Sequence, residues 1–212
     1  MKKAPELYVV LTDVVASRNI PDRRSFKEVF EKAIQKINVA FAADLQMPMQ
    51  GWKGLDEAAA LVKNPTCLYK LIDMLNTLLA PEQMRMVLVK GAVELPATAN
   101  IARADGTAFH QAAALMVRLK EQGLLLAANT GHEDTDRLLQ LNINVLQLLK
   151  SGWTERQRLV YMEYIANGNQ EAAAKSLDIT QQTVSKTLKG INAAQVQLLE
   201  SELQQWLNNQ FK

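Results

Sequence analysis

The sequence predicts an α+β domain followed by an all-helical one. Two apolar, β-branched runs, residues 7–15 (LYVVLTDVV) and 84–95 (MRMVLVKGAVEL), alternate with helix-period segments in the first part of the chain. After His132 only helical periodicity remains. The length of 212 residues allows one large domain, or one domain plus a small one. With 48% apolar and 22% charged residues, the chain is not disordered, and a net charge of +2 excludes a polybasic protein. No uncharged apolar stretch approaches the ~18 residues of a membrane span. Met1-Lys2-Lys3 could open a signal peptide, but Glu6 and Asp13 interrupt its apolar segment. The lone Cys67 cannot form an intrachain disulfide, so a cytoplasmic home is expected.

Residues 7–15 are apolar on both sides and read as a buried central strand, which ends in turn chemistry at Asn19, Pro21 and Asp22. Ser25 with Glu28 gives a capping-box pattern for a helix whose core face is Phe30, Ile34, Ile37 and Phe41. Residues 47–54 contain Pro48 and two glycines and read as an edge strand or hairpin arm. Leu68, Leu71, Ile72, Leu75, Leu78 and Leu79 mark a helix ended by Pro81. Residues 84–95 form a second core strand, with Gly91 at a bulge or a close backbone approach. Asp105-Gly106 turns into a helix carrying Ala108, Ala112, Leu115 and Leu119, and residues 124–128 form a further strand. The expected organisation is an α+β domain over 1–132, a connecting helix over 133–151, and a helical domain over 152–212.

Within the last of these, NQEAAAKSLDITQQTVSKTLKGI (169–191) shows two short helices separated by LDI, with Thr180 as N-cap of the second. Ala173, Leu177, Ile179, Val184 and Leu188 supply buried positions. Gln182, Ser185, Lys186 and Lys189 fall at i, i+3, i+4 and i+7 and share the outward face, beside Gln181. Glutamine can read adenine edges, while serine and lysine hold phosphates or bases. No acidic residue stands between Asp178 and Glu200. The alternatives are a solvated face or a protein contact. From Trp153 the segment resembles the helix-turn-helix of sigma-factor and response-regulator modules, in Thr154, Gln157 and Val160 and then Ala-Ala-x-x-Leu-x-Ile-Thr-x-x-Thr-Val-Ser. It departs at Asp178, where such modules often place glycine. A long helix follows over 191–207, with Val196, Leu199, Leu203 and Trp206 on one side.

The N-terminal motif is Asp13-Val-Val-Ala-Ser17-Arg18, with Asp22-Arg23 beyond it. A carboxylate inside the end of a buried strand either holds a divalent cation, with Ser17 and backbone amides near a phosphate, or pairs with local donors, Arg18 or Arg23. His110 and His132 lack partners at zinc-ligand spacing. Cys67 reads as a core residue, and Trp52 as a hairpin residue or the border of a cleft.

Asp13-Val-Val-x-Ser17-Arg18, Asp22-Arg23, the 54–61 region, Asp105-Gly106-x-Ala108-Phe109-His110 and the C-terminal helices together resemble the SatD-like family, over nearly the whole chain. The resemblance implies a ferredoxin-like, nucleotidyl-cyclase-like sandwich followed by a helix-turn-helix. Enzymes of that cyclase layout hold two metals over a nucleotide triphosphate with one carboxylate on the first strand and one on the next hairpin. It thus implies a metal site at Asp13 and Asp56, Mg²⁺ with a nucleotide as cofactor, and nucleotide contacts at Ser17, Arg18, Asp105 and Gly106. Where the family usually has Gly-Asp-Glu-Phe-Gln, this chain has Gly54-Leu55-Asp56-Glu57-Ala58-Ala59, and a one-residue shift in a strand turns a side chain to the other face.

The expected function is a DNA-binding transcriptional regulator contacting DNA through Thr180, Gln181, Gln182, Ser185, Lys186 and Lys189. A catalytically degenerate N-terminal domain would sense a nucleotide or oligomerise, with a homodimer and a nucleotide effector as partners. The alternatives are a metal-dependent nucleotidyl enzyme using Asp13 and Asp56, and a protein-interaction module. Residues 151–212 hold six basic side chains (Arg156, Arg158, Lys175, Lys186, Lys189, Lys212) and six acidic ones, so DNA affinity must come from a local face or from dimerisation.

Overall fold

The computed structural model describes residues 4–54, 56–95 and 100–211. The chain divides into two compact units, Met1–Asn144 with Leu207–Lys212, and Val145–Trp206.

The first unit is built on a five-stranded sheet in the order β2-β3-β1-β4-β5. Its elements are β1 (Glu6–Val14), α1 (Arg23–Ala40), β2 (Leu45–Gly51), β3 (Glu57–Val62), α2 (Leu68–Leu78), β4 (Met84–Ala92), α3 (Thr107–Gln122) and β5 (Leu126–Asn129). β1 lies at the centre, antiparallel to β3 and β4, because Val9, Val10 and Leu11 are all buried and need cover on both faces. Val9 and Leu11 join Ala59, Leu61, Val87 and Val89 in one core with Ala108, Phe109, Ala112, Met116 and Leu119 of α3. The alternate residues Val10, Ala58, Ala60, Met86 and Leu88 are buried on the opposite face. α1 and α2 pack together there, each tied to a strand by an asparagine. Asn38 pairs with both backbone groups of Met49 (2.7 and 2.9 Å), and Asn76 accepts from the Met84 amide at 2.6 Å.

Both sheet edges are managed. β2 carries Pro48, which an edge strand tolerates. β5, parallel to β4, is covered by Asn144 of α4 (Glu133–Ser151), which accepts from the Leu125 and Leu126 amides and donates to the Leu126 carbonyl. Gly91 is a close backbone approach: a Cβ there would stand 3.3 Å from Ala108 Cα.

Several boundaries differ from expectation; β4 ends at Ala92 and not at 95, and the last helix spans Ala193–Gln210 and not 191–207. The cap of α1 is Asp22, not Ser25; its carboxylate accepts from the Arg24 and Ser25 amides, so the helix starts at Arg23. β2 starts two residues earlier than expected and ends at Gly51, and β5 ends at Asn129. β3 is an addition to the expected elements, because AAALV is rich in alanine, a poor strand former that here packs on both faces of the sheet.

The second unit contains the end of α4, then α5 (Glu155–Asn167), α6 (Gln170–Ser176), α7 (Gln181–Gly190) and α8 (Ala193–Gln210) up to Trp206. Val160, Tyr161, Ala173, Ala174, Val184, Leu188, Ile191 and Val196 form its core. The expected buried positions Ala173, Val184 and Leu188 are indeed buried, with Leu177 and Ile179 half-buried against them. Thr154 and Gln157 cap α5 reciprocally, Asn169 caps α6, and Thr180 caps α7 by accepting from the Thr183 amide at 3.1 Å. Asp178 adopts φ 51°, the left-handed conformation for which glycine is better suited. Lys150 is buried, paired with Glu200 and lying over the Tyr161 ring, while Tyr161 Oη donates to Glu200 at 2.6 Å. On α8, Val196 and Leu203 are buried, Trp206 is half-buried and Leu199 is exposed. Among the described residues, no helix is long and apolar enough to cross a membrane.

Candidate functional site

Sheet register brings one group of charges together. Asp13 lies opposite Glu57 on β3 and opposite Arg85 on β4, so all three share the face that α3 covers. Asp13 is buried. Its Oδ1 accepts from Lys120 Nζ at 2.7 Å, and its Oδ2 stands 3.5 Å from Arg85 Nη1. Lys120 is placed by α3, one residue after the buried Leu119. Asp56 sits at the adjacent hairpin, where its carbonyl accepts from the Val14 amide at 3.1 Å and its carboxylate accepts from Ser17 Oγ. Burial pushes the Glu57 carboxyl above its ordinary range. Lys120 opposes that rise, the Asp13 and Asp56 charges add to it, and Lys53 opposes it.

The first-strand and hairpin carboxylates are therefore neighbours, but with Lys120 and Arg85 on Asp13 the donor set does not fit a metal. Mg²⁺ needs about six oxygen ligands in a near-octahedral shell. Asp13 already faces an ammonium and a guanidinium, and Asp56 is engaged by Ser17. Among the described residues, no group of three or more histidine, cysteine, aspartate or glutamate side chains is arranged to hold an ion.

The expected nucleotide contacts are split. Ser17 and Arg18 begin the short 3-10 turn after β1, beside Asp56. Asp105 and Gly106 lie at the start of α3, whereas Lys120, beside Asp13, lies at its end. Gly106 and Lys120, fourteen residues apart along the helix, are separated by roughly 20 Å. Asp105 bridges to Glu94, its exposed carboxylate accepts from the Gly106 amide at 2.8 Å, and it pairs with His110 at 3.1 Å. The 105–110 turn is thus a helix start with Phe109 in the core, and its N-cap residue, Gly106, makes no side-chain cap hydrogen bond.

Trp52 stacks on Phe109 with ring centroids 6.2 Å apart, and Lys53 Nζ lies 4.1 Å from the Trp52 ring centroid. Cys67 is buried, and burial raises its thiol to about 12, which makes it a packing residue rather than a nucleophile. Sequence reasoning misses Arg85, Lys120 and Glu57 as the neighbours of Asp13. The only local signal is a charged residue beside or inside an apolar strand at Arg85 and Glu57; their meeting depends on register.

On α7, the side chains of Gln181, Gln182, Ser185, Lys186 and Lys189 are exposed, and so is the capping Thr180. Val184 and Leu188 occupy the opposite, buried side.

Comparison with known proteins gives a family and distant fold neighbours. No curated protein matches the sequence. A bacterial light-regulated adenylyl cyclase structure aligns at 14% identity and TM-score 0.39, covering 58% of this chain and 74% of that one. A second structure of a bacterial light-regulated adenylyl cyclase aligns at 15% identity and TM-score 0.39, covering 58% and 42%. A regulator of polyketide synthase expression from Bifidobacterium adolescentis aligns at 12% identity and TM-score 0.23, covering 95% and 86%. The SatD family model spans residues 8–204, and the chain belongs to the SatD family.

Proposed function

We propose that the protein is a cytoplasmic, DNA-binding transcriptional regulator that acts as a homodimer. In this reading α6 and α7 form a helix-turn-helix with α7 as the recognition helix. The sheet unit is a non-catalytic sensing or oligomerisation domain. The observation that carries the reading is the outward face of α7. Gln182, Ser185, Lys186 and Lys189 are all exposed on it, in a stretch without an acidic residue between Asp178 and Glu200. Its opposite side is anchored by Val184 and Leu188, so the polar face is presented by a fixed helix.

The charge arrangement at Asp13 favours the non-catalytic role, because a carboxylate neutralised by Lys120 and Arg85 has little left for a metal or a phosphate. A nucleotide effector would find Ser17 and Arg18 together, without Asp105 and Gly106. Electrophoretic mobility shift against genomic fragments tests the reading. Replacing both lysines, Lys186→Ala with Lys189→Ala, weakens binding across sequences and lowers the salt slope by about one for each phosphate that is no longer neutralised. Unchanged affinity and slope would remove α7 as the recognition element.

A further inference from the structure

We propose that Lys120 is the resident cation of the Asp13 carboxylate site, so that the folded protein excludes divalent metal there. The inference deepens the non-catalytic part of the proposed function. It is measured without DNA, so its failure and the failure of DNA binding are separate results.

Lys120 is an exposed lysine whose backbone is held by packing. Ala112, Met116 and Leu119 are buried in the core that α3 shares with Leu11, Ala59 and Val87. That packing fixes the backbone of Lys120 above the end of β1, where Asp13 and Glu57 stand side by side. The ammonium reaches Asp13 at 2.7 Å from the last turn of α3, where the partial negative charge of the helix end also favours a cation. Arg85 reaches the other carboxylate oxygen from β4. A divalent ion bound to Asp13 would have to sit within a few ångströms of the Lys120 and Arg85 charges, or displace them. Repulsion in a partly buried site is much stronger than in water. The nearby Asp56 carboxylate does not change this, because it already accepts from Ser17.

The test is Mn²⁺ binding to the full chain, followed by electron paramagnetic resonance of the free ion. The wild-type protein shows no site that depends on Asp13. Lys120→Ala gains one, at least about tenfold tighter than any wild-type binding and in roughly the millimolar range of weak oxygen-ligand sites. The gain is abolished in Lys120→Ala combined with Asp13→Asn, and Lys120→Arg remains as metal-blind as the wild type. Wild-type Mn²⁺ binding that disappears in Asp13→Asn would overturn the proposal. So would a folded Lys120→Ala protein that gains no site. If Lys120→Ala does not fold, the wild-type and Asp13→Asn titrations decide the matter alone.

Discussion

Asp13 shows how one carboxylate acquires its meaning from neighbours far away in sequence. On its own strand it is a charge inside an apolar run, and either a cation or a polar pairing satisfies it. Both of its observed partners are protein cations, and one of them, Lys120, is 107 residues distant. Glu57 carries the complementary cost. Its pKa is raised on folding, chiefly by burial, so the folded state binds the proton more tightly than the unfolded state. The sign follows from linkage. Below the unfolded value, near 4.5, both states are protonated and Glu57 costs nothing; as pH rises toward the folded value the penalty grows, and above it the penalty is complete. Glu57→Gln should therefore raise the melting temperature at pH 7. The advantage should shrink as pH falls and vanish below about pH 4, which a series of thermal melts would reveal. A constant advantage across that range would assign the effect to something other than titration.

Elements were legible wherever their periodicity was strong. β1, β4 and the α2 pattern declared themselves by apolar runs or by 3.6-residue spacing, and Thr180 announced α7. The sequence alone concealed β3, whose alanines carry little strand preference and are recruited by pairing between β1 and β2. It concealed the charge cluster for the same reason, since register decides which side chains meet. The start of α3 is a place where local chemistry was informative. Asp105-Gly106 reads as a turn, and Gly106 adopts φ 123° with no room for a side chain. A Cβ there would lie 2.4 Å from the Ala92 carbonyl oxygen. Gly106→Ala should destabilise the protein by about 2–3 kcal/mol in urea unfolding, through backbone strain and displacement of α3 from the end of β4. An unaffected midpoint would mean that this turn relaxes freely and does not fix α3.

At the scale of the whole molecule, charge and apolar surface point to the same requirement. Residues 151–212 are electrically balanced, with six basic and six acidic side chains, so no broad field draws DNA to the proposed recognition face. One helix with two lysines reaches few phosphates, and duplicating it is the direct way to reach more. α4 offers a means. Its Leu139, Ile143 and Leu146 are buried, yet Leu138, Leu141, Val145 and Leu148 recur at the 3-4-3 spacing of a coiled-coil seam and are 45–72% exposed. A helix apolar on two faces calls for cover on both. From Leu138 to Leu149 it carries no charged residue, so pairing with a second copy meets no like-charge repulsion. Leu141→Glu with Leu148→Glu should therefore convert a dimer to a monomer in sedimentation equilibrium. DNA binding should weaken by at least about tenfold while helix content is retained, because each monomer keeps its own α7 but no longer carries a second one beside it. A wild-type protein that is monomeric at the concentrations where it binds DNA would refute the dimer, and would leave α7 to bind as a single recognition helix.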